Sequence, residues 1–299
     1  MEKIKILYIA GSGRSGSTLL ARLLGEIDGF VNVGEASQSL FNKKRVSMGL
    51  PCGCGHSMEE CTFWNKLKYS LNNDVQDFGT QVMKFRYFPL LISPLKPEIF
   101  RQKYKKLIHS QMKLIEYIVD HSGCRIIIDS SKHPITGYIL SQQSDVDLYI
   151  LHTIRDIRGV VSSWKKPKEY LWSQSIKDTI KWWWLNNLLS EYLRFYAKDY
   201  ILVRYEDLVR NPVKTLEHIV ARFFQIREPI NFFQENQAVV GVHHMLGSNP
   251  DKLFSGKLVV QERTWKLSSK EYWFVSFLTL PLLIRYGYLS KRKYREMGR

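Results

Sequence analysis

Residues 11–20 read GSGRSGSTLL and follow a strand-like start, KIKILYIA. A glycine-rich turn between a strand and a helix gathers backbone N–H groups and the positive end of the helix at one point, which makes a cradle for phosphate. Gly11, Gly13 and Gly16 let the chain turn tightly round an anion. Ser17 and Thr18 add hydroxyl donors, and Arg14 adds a planar fork suited to two oxygens. Gly13, Arg14, Ser15, Gly16, Ser17 and Thr18 are therefore candidate anion-binding residues. In loops that hydrolyse ATP or GTP the last glycine is followed by Lys-Ser or Lys-Thr, and the lysine reaches the β- and γ-phosphates. Here Gly16 is followed at once by Ser17 and Thr18, and the basic residue sits earlier, as Arg14. That displacement argues against ordinary ATP or GTP hydrolysis.

A second candidate anchor is HTIRDIRGVVSSW. Arg155 leaves a strand, and Ser163 follows eight residues later, two helical turns on. A cation and a hydroxyl spaced this way can hold a second phosphate, distant from the first. The plain structural alternative is a helix start capped by Asp156. Further polar residues fall where strands should end: Glu35 in VGE, Lys132 and His133 in DSSKHP, and Tyr205 in YILVRY. Asp129 ends an apolar run and is read as structural. The bland alternatives are a salt bridge from Glu35 to a neighbouring Arg or Lys, a surface position for His133 beside Pro134, and a core position for Tyr205. PCGCGHSMEEC brings Cys52, Cys54 and Cys61 together with His56, enough for four zinc ligands. Cys-x-Cys is not the usual zinc pair, however, and no second cluster follows, so a compact glycine-rich loop is the favoured reading.

The elements that must position these residues alternate. Residues 4–10 read as a buried strand and 17–27 as a helix with Leu19, Leu20, Leu23, Leu24 and Ile27 on one face. Strands are expected over residues 30–33, 125–128 and 148–153 and in YILVRY; long helices are expected over 98–121, 170–196 and 212–224. Residues 36–97 read as an insertion of helical pieces and loops. The adjacent Trp182, Trp183 and Trp184 point round their helix, so one faces a groove while core packing accounts for the others. Strands alternating with helices predict one α/β domain over residues 1–299, built on a parallel sheet covered on both faces. In such sheets ligands bind at the carboxyl ends of the strands, where Arg14, Glu35, residues 130–133, Arg155 and Tyr205 all collect.

The 299 residues are 44% hydrophobic, ample for a sizeable core, and the formal net charge of +16 points to an anionic partner. Four cysteines are too few for a disulfide scaffold. Acidic Glu2 and an immediate strand do not read as a secretion signal, so the expected location is cytoplasmic. The apolar run over residues 272–284 contains Pro281, is too short to span a bilayer, and reads as a core helix. The basic tail KRKYREMGR leaves peripheral contact with anionic lipid open.

RSGSTLL, RDIRGVVSSW and VRYEDL, in this order and spacing, resemble the sulfotransferase superfamily, whose donor is 3′-phosphoadenosine-5′-phosphosulfate (PAPS). CGCGHSMEECTFW is similar to the cysteine loop of bacterial members, and HMLGSNPDKLFSGK, with Trp265 and LLIRYGY after it, to their C-terminal region. The resemblance covers most of the chain. It implies a P-loop NTPase-like three-layer α/β/α fold with a central parallel sheet. The first loop would hold the 5′-phosphosulfate, and Arg155 and Ser163 the 3′-phosphate. Tyr205 would touch the adenosine side, and Ser248, Asn249 and Lys257 would close over the nucleotide. Arg14 matches the Arg-type loop of tyrosylprotein and several carbohydrate enzymes, and Lys132 resembles a lysine of the tyrosylprotein type. Glu35 matches that type's catalytic glutamate, and His133 is the rival base. The C-terminal segment departs from the common pattern by reading Gly-Ser-Asn-Pro, with Lys252 where an Arg is usual. The implied reaction moves a sulfuryl group to an acceptor hydroxyl on a carbohydrate, glycolipid or polysaccharide, with no metal and no nucleic acid. The alternatives are a P-loop nucleotide kinase-like enzyme and a non-catalytic polyanion-binding protein.

Overall fold

In the computed structural model of the protein, residues 2–41, 48–67, 97–165, 174–262 and 264–289 are described. Five strands, β1 (Ile4–Gly11), β2 (Phe30–Gly34), β3 (Ile126–Lys132), β4 (Val146–Ile154) and β5 (Asp199–Arg204), form one sheet in the order β2-β3-β1-β4-β5. Every pairing in it is parallel. Period-two alternation divides β1 between two cores. Ile6, Tyr8 and Ala10 pack on one face, with Leu114, Ile118, Ile135 and Tyr138. Leu7 and Ile9 pack on the other, with Leu20, Leu24, Leu216 and Phe223. The helices supplying those partners are α1 (Ser17–Gly25), α4 (Lys105–Ser122), α5 (Pro134–Leu140) and α9 (Pro212–Phe224). A sheet apolar on both faces needs a helical layer on each, and three layers result.

The remaining helices are α2 (Ala36–Leu40), α3 (Pro97–Lys103), α6 (Ile157–Lys165), α7 (Ile176–Tyr192), α8 (Tyr205–Arg210), α10 (Ser269–Leu278) and α11 (Leu280–Arg285). A small antiparallel sheet of β6 (Phe233–Gln234), β7 (Gln237–Val240) and β8 (Gly256–Val259) lies beyond α9 in the chain.

Several expectations are refined. The helix expected over 98–121 is two, α3 and α4, joined at Tyr104 (φ −110°, ψ 18°). β3 runs on through the polar Asp129-Ser130-Ser131-Lys132, because those residues have partners at the sheet end: Tyr8 faces Asp129, and Ala10 faces Lys132. The helix expected over 170–196 is α7 followed by a 3₁₀ turn, Leu193–Tyr196, and its first residues fall outside the described ones. Most of the expected insertion over 36–97 lies outside them too.

The apolar C-terminal run is only partly the expected core helix: Val275, Leu282 and Leu283 are buried in a core cluster with Ile154, Val160 and Trp183. The run breaks into α10 and α11 at Thr279, and it leaves Trp273 70%, Phe277 77% and Ile284 62% exposed. No helix among the described residues is long and apolar enough to cross a membrane.

Candidate active site

Register brings the strand ends together. Gly11 of β1 faces Thr153 of β4, Ala10 faces Lys132 of β3, Gly34 of β2 faces Asp129, and Ile154 faces Arg204 of β5. The glycine loop leaves the sheet at its centre, between β3 and β4. Only glycine fits at Gly11: its φ is 131°, and a Cβ would lie 2.1 Å from the Thr153 carbonyl oxygen. At Gly16 (φ 86°) a Cβ would lie 2.5 Å from the Tyr205 ring, so the loop closes directly onto α8.

Above these ends lies a cavity of about 540 Å³. Gly13, Arg14, Gly16, Ser17 and Thr18 line it, as do Glu35, Lys132, His133, Arg155, Ser163, Tyr205, Ser248 and Asn249. Thirteen of the fifteen residues singled out from the sequence thus border one space. The other two do not. Ser15 turns inward, donating to the Ser12 carbonyl at 2.8 Å and sharing a 2.9 Å hydrogen bond with the Thr153 hydroxyl, so it shapes the loop from behind. Lys257 is exposed on β8, while its neighbours Leu258 and Val259 form cavity wall.

The two expected phosphate anchors touch. Arg14 Nε donates to Ser163 Oγ at 3.0 Å, and Arg155 Nη1 donates to the Arg14 carbonyl at 3.3 Å. The spacing of Arg155 and Ser163 placed this anchor at a distance; the reach of the Arg14 side chain brings it across. Arg155 also lies over the Tyr205 ring, 4.2 Å from its centroid, a cation–π contact that fixes the guanidinium plane. Trp183 Nε1 holds the Arg155 carbonyl at 3.0 Å. Asp156 does cap α6, accepting from Arg158 N at 2.9 Å and from Arg158 Nε at 2.8 Å.

Glu35 and Lys132 form an ion pair, so the salt bridge foreseen for Glu35 exists and its partner is the other strand-end candidate. Lys132 Nζ also donates to the Ser130 carbonyl at 3.0 Å. Asp129 sets this geometry. Its buried carboxylate accepts from Ser131 N at 2.8 Å and Ser37 N at 3.2 Å, stapling the end of β3 to the residues that follow Glu35. Burial raises the Asp129 carboxyl above the usual carboxylate range. Lys132 (φ 68°) and Arg14 (φ 69°) both sit in the left-handed region, which side chains other than glycine rarely occupy. Held strain of this kind collects where a side chain must be aimed. His133 stands at the N-cap position of α5 without a side-chain capping bond, and its carbonyl accepts from Tyr8 OH at 2.8 Å.

The sequence reading missed Arg22. It lies one turn after Thr18 on α1, is 2% exposed, and donates to the Asp251 carbonyl at 2.7 Å and to the Phe254 carbonyl. A basic residue four positions beyond the loop hydroxyls was the signal that could have placed it on the cavity side. Gln38 and Asn186 also line the cavity and stand in no motif; Trp164 lines it too, and closes the HTIRDIRGVVSSW segment without having been singled out. Lys252 is not at the site; its buried ammonium clamps the carbonyls of Pro51 and Gly247. Of the three adjacent tryptophans, Trp182 and the buried Trp183 both line a cleft of about 180 Å³ that shares Gly13, Trp164 and Asn186 with the main cavity, while Trp184 does not.

No protein-family model matches the chain, and no curated protein matches it in sequence. Solved structures do resemble it. The sulfotransferase domain from the curacin biosynthetic pathway superposes with a TM-score of 0.50, covering 93% of this chain and 98% of that one at 17% identity. Sulfotransferase STF9 from Mycobacterium avium gives 0.42 over 95% and 76% of the two chains at 11% identity. Retinol dehydratase, solved with androsterone and the inactive cofactor PAP, gives 0.38 over 95% and 81% at 10% identity.

One buried acid behind the site yields a pH prediction. Glu206 accepts from Asp156 N at 3.1 Å and Tyr288 OH at 3.0 Å, and burial pushes its carboxyl from 4.5 up to about 7. Between those values the folded chain keeps a proton that the unfolded chain has lost. The stability it contributes is fully present below about 4.5 and falls away as pH rises through about 7. Thermal melts of Glu206→Gln should therefore fall less steeply than wild type between about pH 5 and 8; equal slopes would remove Glu206 as the cause. Over nearly its whole length the chain has the fold of the sulfotransferase domain from the curacin biosynthetic pathway.

Proposed function

We propose that the protein is a PAPS-dependent sulfotransferase acting on an acceptor hydroxyl, and that the acceptor is a carbohydrate, glycolipid or polysaccharide. The observation that carries this is a single cavity with arginines over a glycine loop on one side and the Glu35–Lys132 pair on the other. The residues present suit the donor. Arg14, Arg155 and Ser163 offer charged and hydroxyl donors for phosphate oxygens, and the N-terminus of α1 opens into the same space. PAPS would supply an activated sulfuryl group whose in-line transfer to a hydroxyl leaves adenosine 3′,5′-bisphosphate. It has no γ-phosphate, which accounts for a loop without the triphosphate-binding lysine.

The chain's own residues then divide the work. Arg14 and the backbone N–H groups at Ser17 and Thr18 counter negative charge at the loop, where fixed donors act without reorganising. Arg155 and Ser163 hold the far phosphate, and Tyr205 fixes Arg155 from below. Glu35 takes the proton from the acceptor hydroxyl, and Lys132 orients its carboxylate and faces the reacting oxygens. His133, beside Lys132, is the second candidate for that proton.

The acceptor reading rests on the cleft beside Trp164 and Trp182, whose flat aromatic faces suit the apolar faces of sugar rings. The exposed Trp273, Phe277 and Ile284, followed by the basic tail, support docking on an anionic membrane surface, which favours a lipid-linked acceptor.

Calorimetric titration with adenosine 3′,5′-bisphosphate should show binding to the wild-type protein and about thirtyfold weaker binding to Arg155→Ala, roughly 2 kcal/mol for a charge-assisted contact. A wild-type protein that does not bind overturns the donor assignment. In an acceptor screen with labelled PAPS, Glu35→Gln should keep the nucleotide affinity and lose roughly a hundredfold or more in turnover; near-normal turnover would move the base to His133. For the membrane surface, Trp273→Ser/Phe277→Ser should abolish sedimentation with phosphatidylglycerol vesicles. Unchanged partition of the double variant would discard the membrane reading.

A further inference from the structure

Outside the cavity, the described residues contain one cluster of metal-ligating side chains. The Sγ atoms of Cys52, Cys54 and Cys61 and a ring nitrogen of His244 all lie within 4.8 Å of one another. None of the four lines the cavity. We propose that these four residues bind one zinc ion in a closed, structural Cys₃His site.

The geometry favours it. Zinc–sulfur bonds of about 2.3 Å and zinc–nitrogen bonds of about 2.0 Å in a tetrahedron put neighbouring ligand atoms roughly 3.5–3.8 Å apart. Cys54 Sγ lies 3.6 Å from Cys61 Sγ, and His244 Nδ1 lies 3.8 Å from Cys52 Sγ and 3.2 Å from Cys61 Sγ. A disulfide between Cys54 and Cys61 would use two of these groups and leave Cys52 and His244 converging on nothing. Four protein ligands complete the coordination, so the site has no open position for chemistry. The histidine counted from the sequence, His56, is not in the group; it is exposed, and the fourth ligand comes from nearly two hundred residues away.

The surroundings hold the ligands in place, as metal sites require of their second layer. The Phe63 ring stacks on His244 (centroids 5.2 Å apart, planes at 11°), and Trp64 Nε1 donates to the His244 carbonyl at 2.8 Å. Cys52 N and Cys61 N donate to the carbonyls of His56 and Ser57, at 2.8 and 2.9 Å, turning the loop back on itself. Gly53 N donates to the Met245 carbonyl at 2.9 Å, and a Cβ on Gly53 would lie 2.3 Å from the His243 carbonyl oxygen, so only glycine permits this approach.

The consequence reaches the cavity. Two residues after His244, Leu246 pairs with the edge of the sheet: its N–H donates to the Val33 carbonyl at 3.0 Å, and its carbonyl accepts from Glu35 N at 2.6 Å. Ser248 and Asn249 follow at once on the cavity wall. The metal would anchor the strip of chain that carries both features.

The test uses the full-length, reduced protein. Elemental analysis after passage over a chelating resin should find about one zinc per chain, and the zinc-free protein should bind Co²⁺ with the visible bands of a tetrahedral thiolate site. His244→Ala and Cys61→Ser should bind cobalt about tenfold or more less tightly, a larger loss than in His56→Ala, whose ring hydrogen-bonds the Cys54 side chain but is not one of the four ligands. Stripping the zinc should lower the melting temperature of the wild-type chain by several degrees. A reduced wild-type chain that carries no zinc and gives no cobalt spectrum overturns the proposal, and this result needs no variant to fold. Loss of cobalt binding in His56→Ala with retention in His244→Ala overturns it too, as does a Cys54–Cys61 disulfide in protein made with zinc present.

Discussion

Positive charge gathered where parallel strands end is the constraint on which the rest of this structure depends. Parallel pairing makes β1, β3 and β4 stop at one edge; the helices after β1 and β3 start there with no side-chain cap on their N–H groups, while Asp156 caps the one after β4. To that field the sequence adds Arg14, Arg22, Lys132 and Arg155, all on one cavity of about 540 Å³. Like charges this close repel strongly in a partly desolvated space. Glu35 offsets one of them, and the carbonyls of Asp251 and Phe254 hold another. The arrangement becomes favourable when an anion with several charges enters, as the proposed doubly phosphorylated donor would.

The local chemistry was legible in the sequence because it is written in short segments. A strand, a glycine turn and a helix are contiguous, so the cradle at Gly11–Gly16 could be placed without a fold. Arg155 and Ser163 share one helix start, so their spacing carried geometric meaning. Glu35, Lys132 and Tyr205 needed only the rule that parallel strands present ligands at their carboxyl ends. The resemblance to sulfotransferases added roles to positions already singled out, and added Ser248, Asn249 and Lys257 to them. What stayed hidden is what depends on segments far apart. Ser15 looked like any loop hydroxyl until Thr153 arrived beside it. Lys257, which the resemblance had closing over the nucleotide, is exposed on β8 where that strand pairs with β7. His244 could not be assigned to the cysteine loop, because no periodicity links residues so distant. The apolar run at the C-terminus was legible only in part: Val275, Leu282 and Leu283 do enter a core. Hydropathy reports that side chains avoid water, not which surface covers them, and here Trp273, Phe277 and Ile284 face outward.

The strip from Gly241 to Lys252 shows how one segment can tie these features into a mechanical unit. At its start, Gly241 N and His243 Nε2 both bond Glu26 Oε1, at 2.8 and 2.7 Å, which fastens the strip to the end of α1. In its middle, Leu246 extends the sheet beside Gly34 and holds the backbone of Glu35. Beyond that, Asn249 Nδ2 donates to Thr18 Oγ1 at 3.2 Å, touching the loop itself, and Lys252 clamps the Pro51 and Gly247 carbonyls. The glycine loop and Glu35, which lie at opposite ends of the cavity's chemistry, therefore share a support that neither contributes to in sequence. A shift of this strip moves the glycine loop and Glu35 together, the two groups to which the proposed function gives the nucleotide and the acceptor's proton. Catalysis by positioning depends on such joint placement, since misaligning either partner by about an ångström costs orders of magnitude in rate. The second layer of this site is thus as much a part of the chemistry as the side chains that face the cavity.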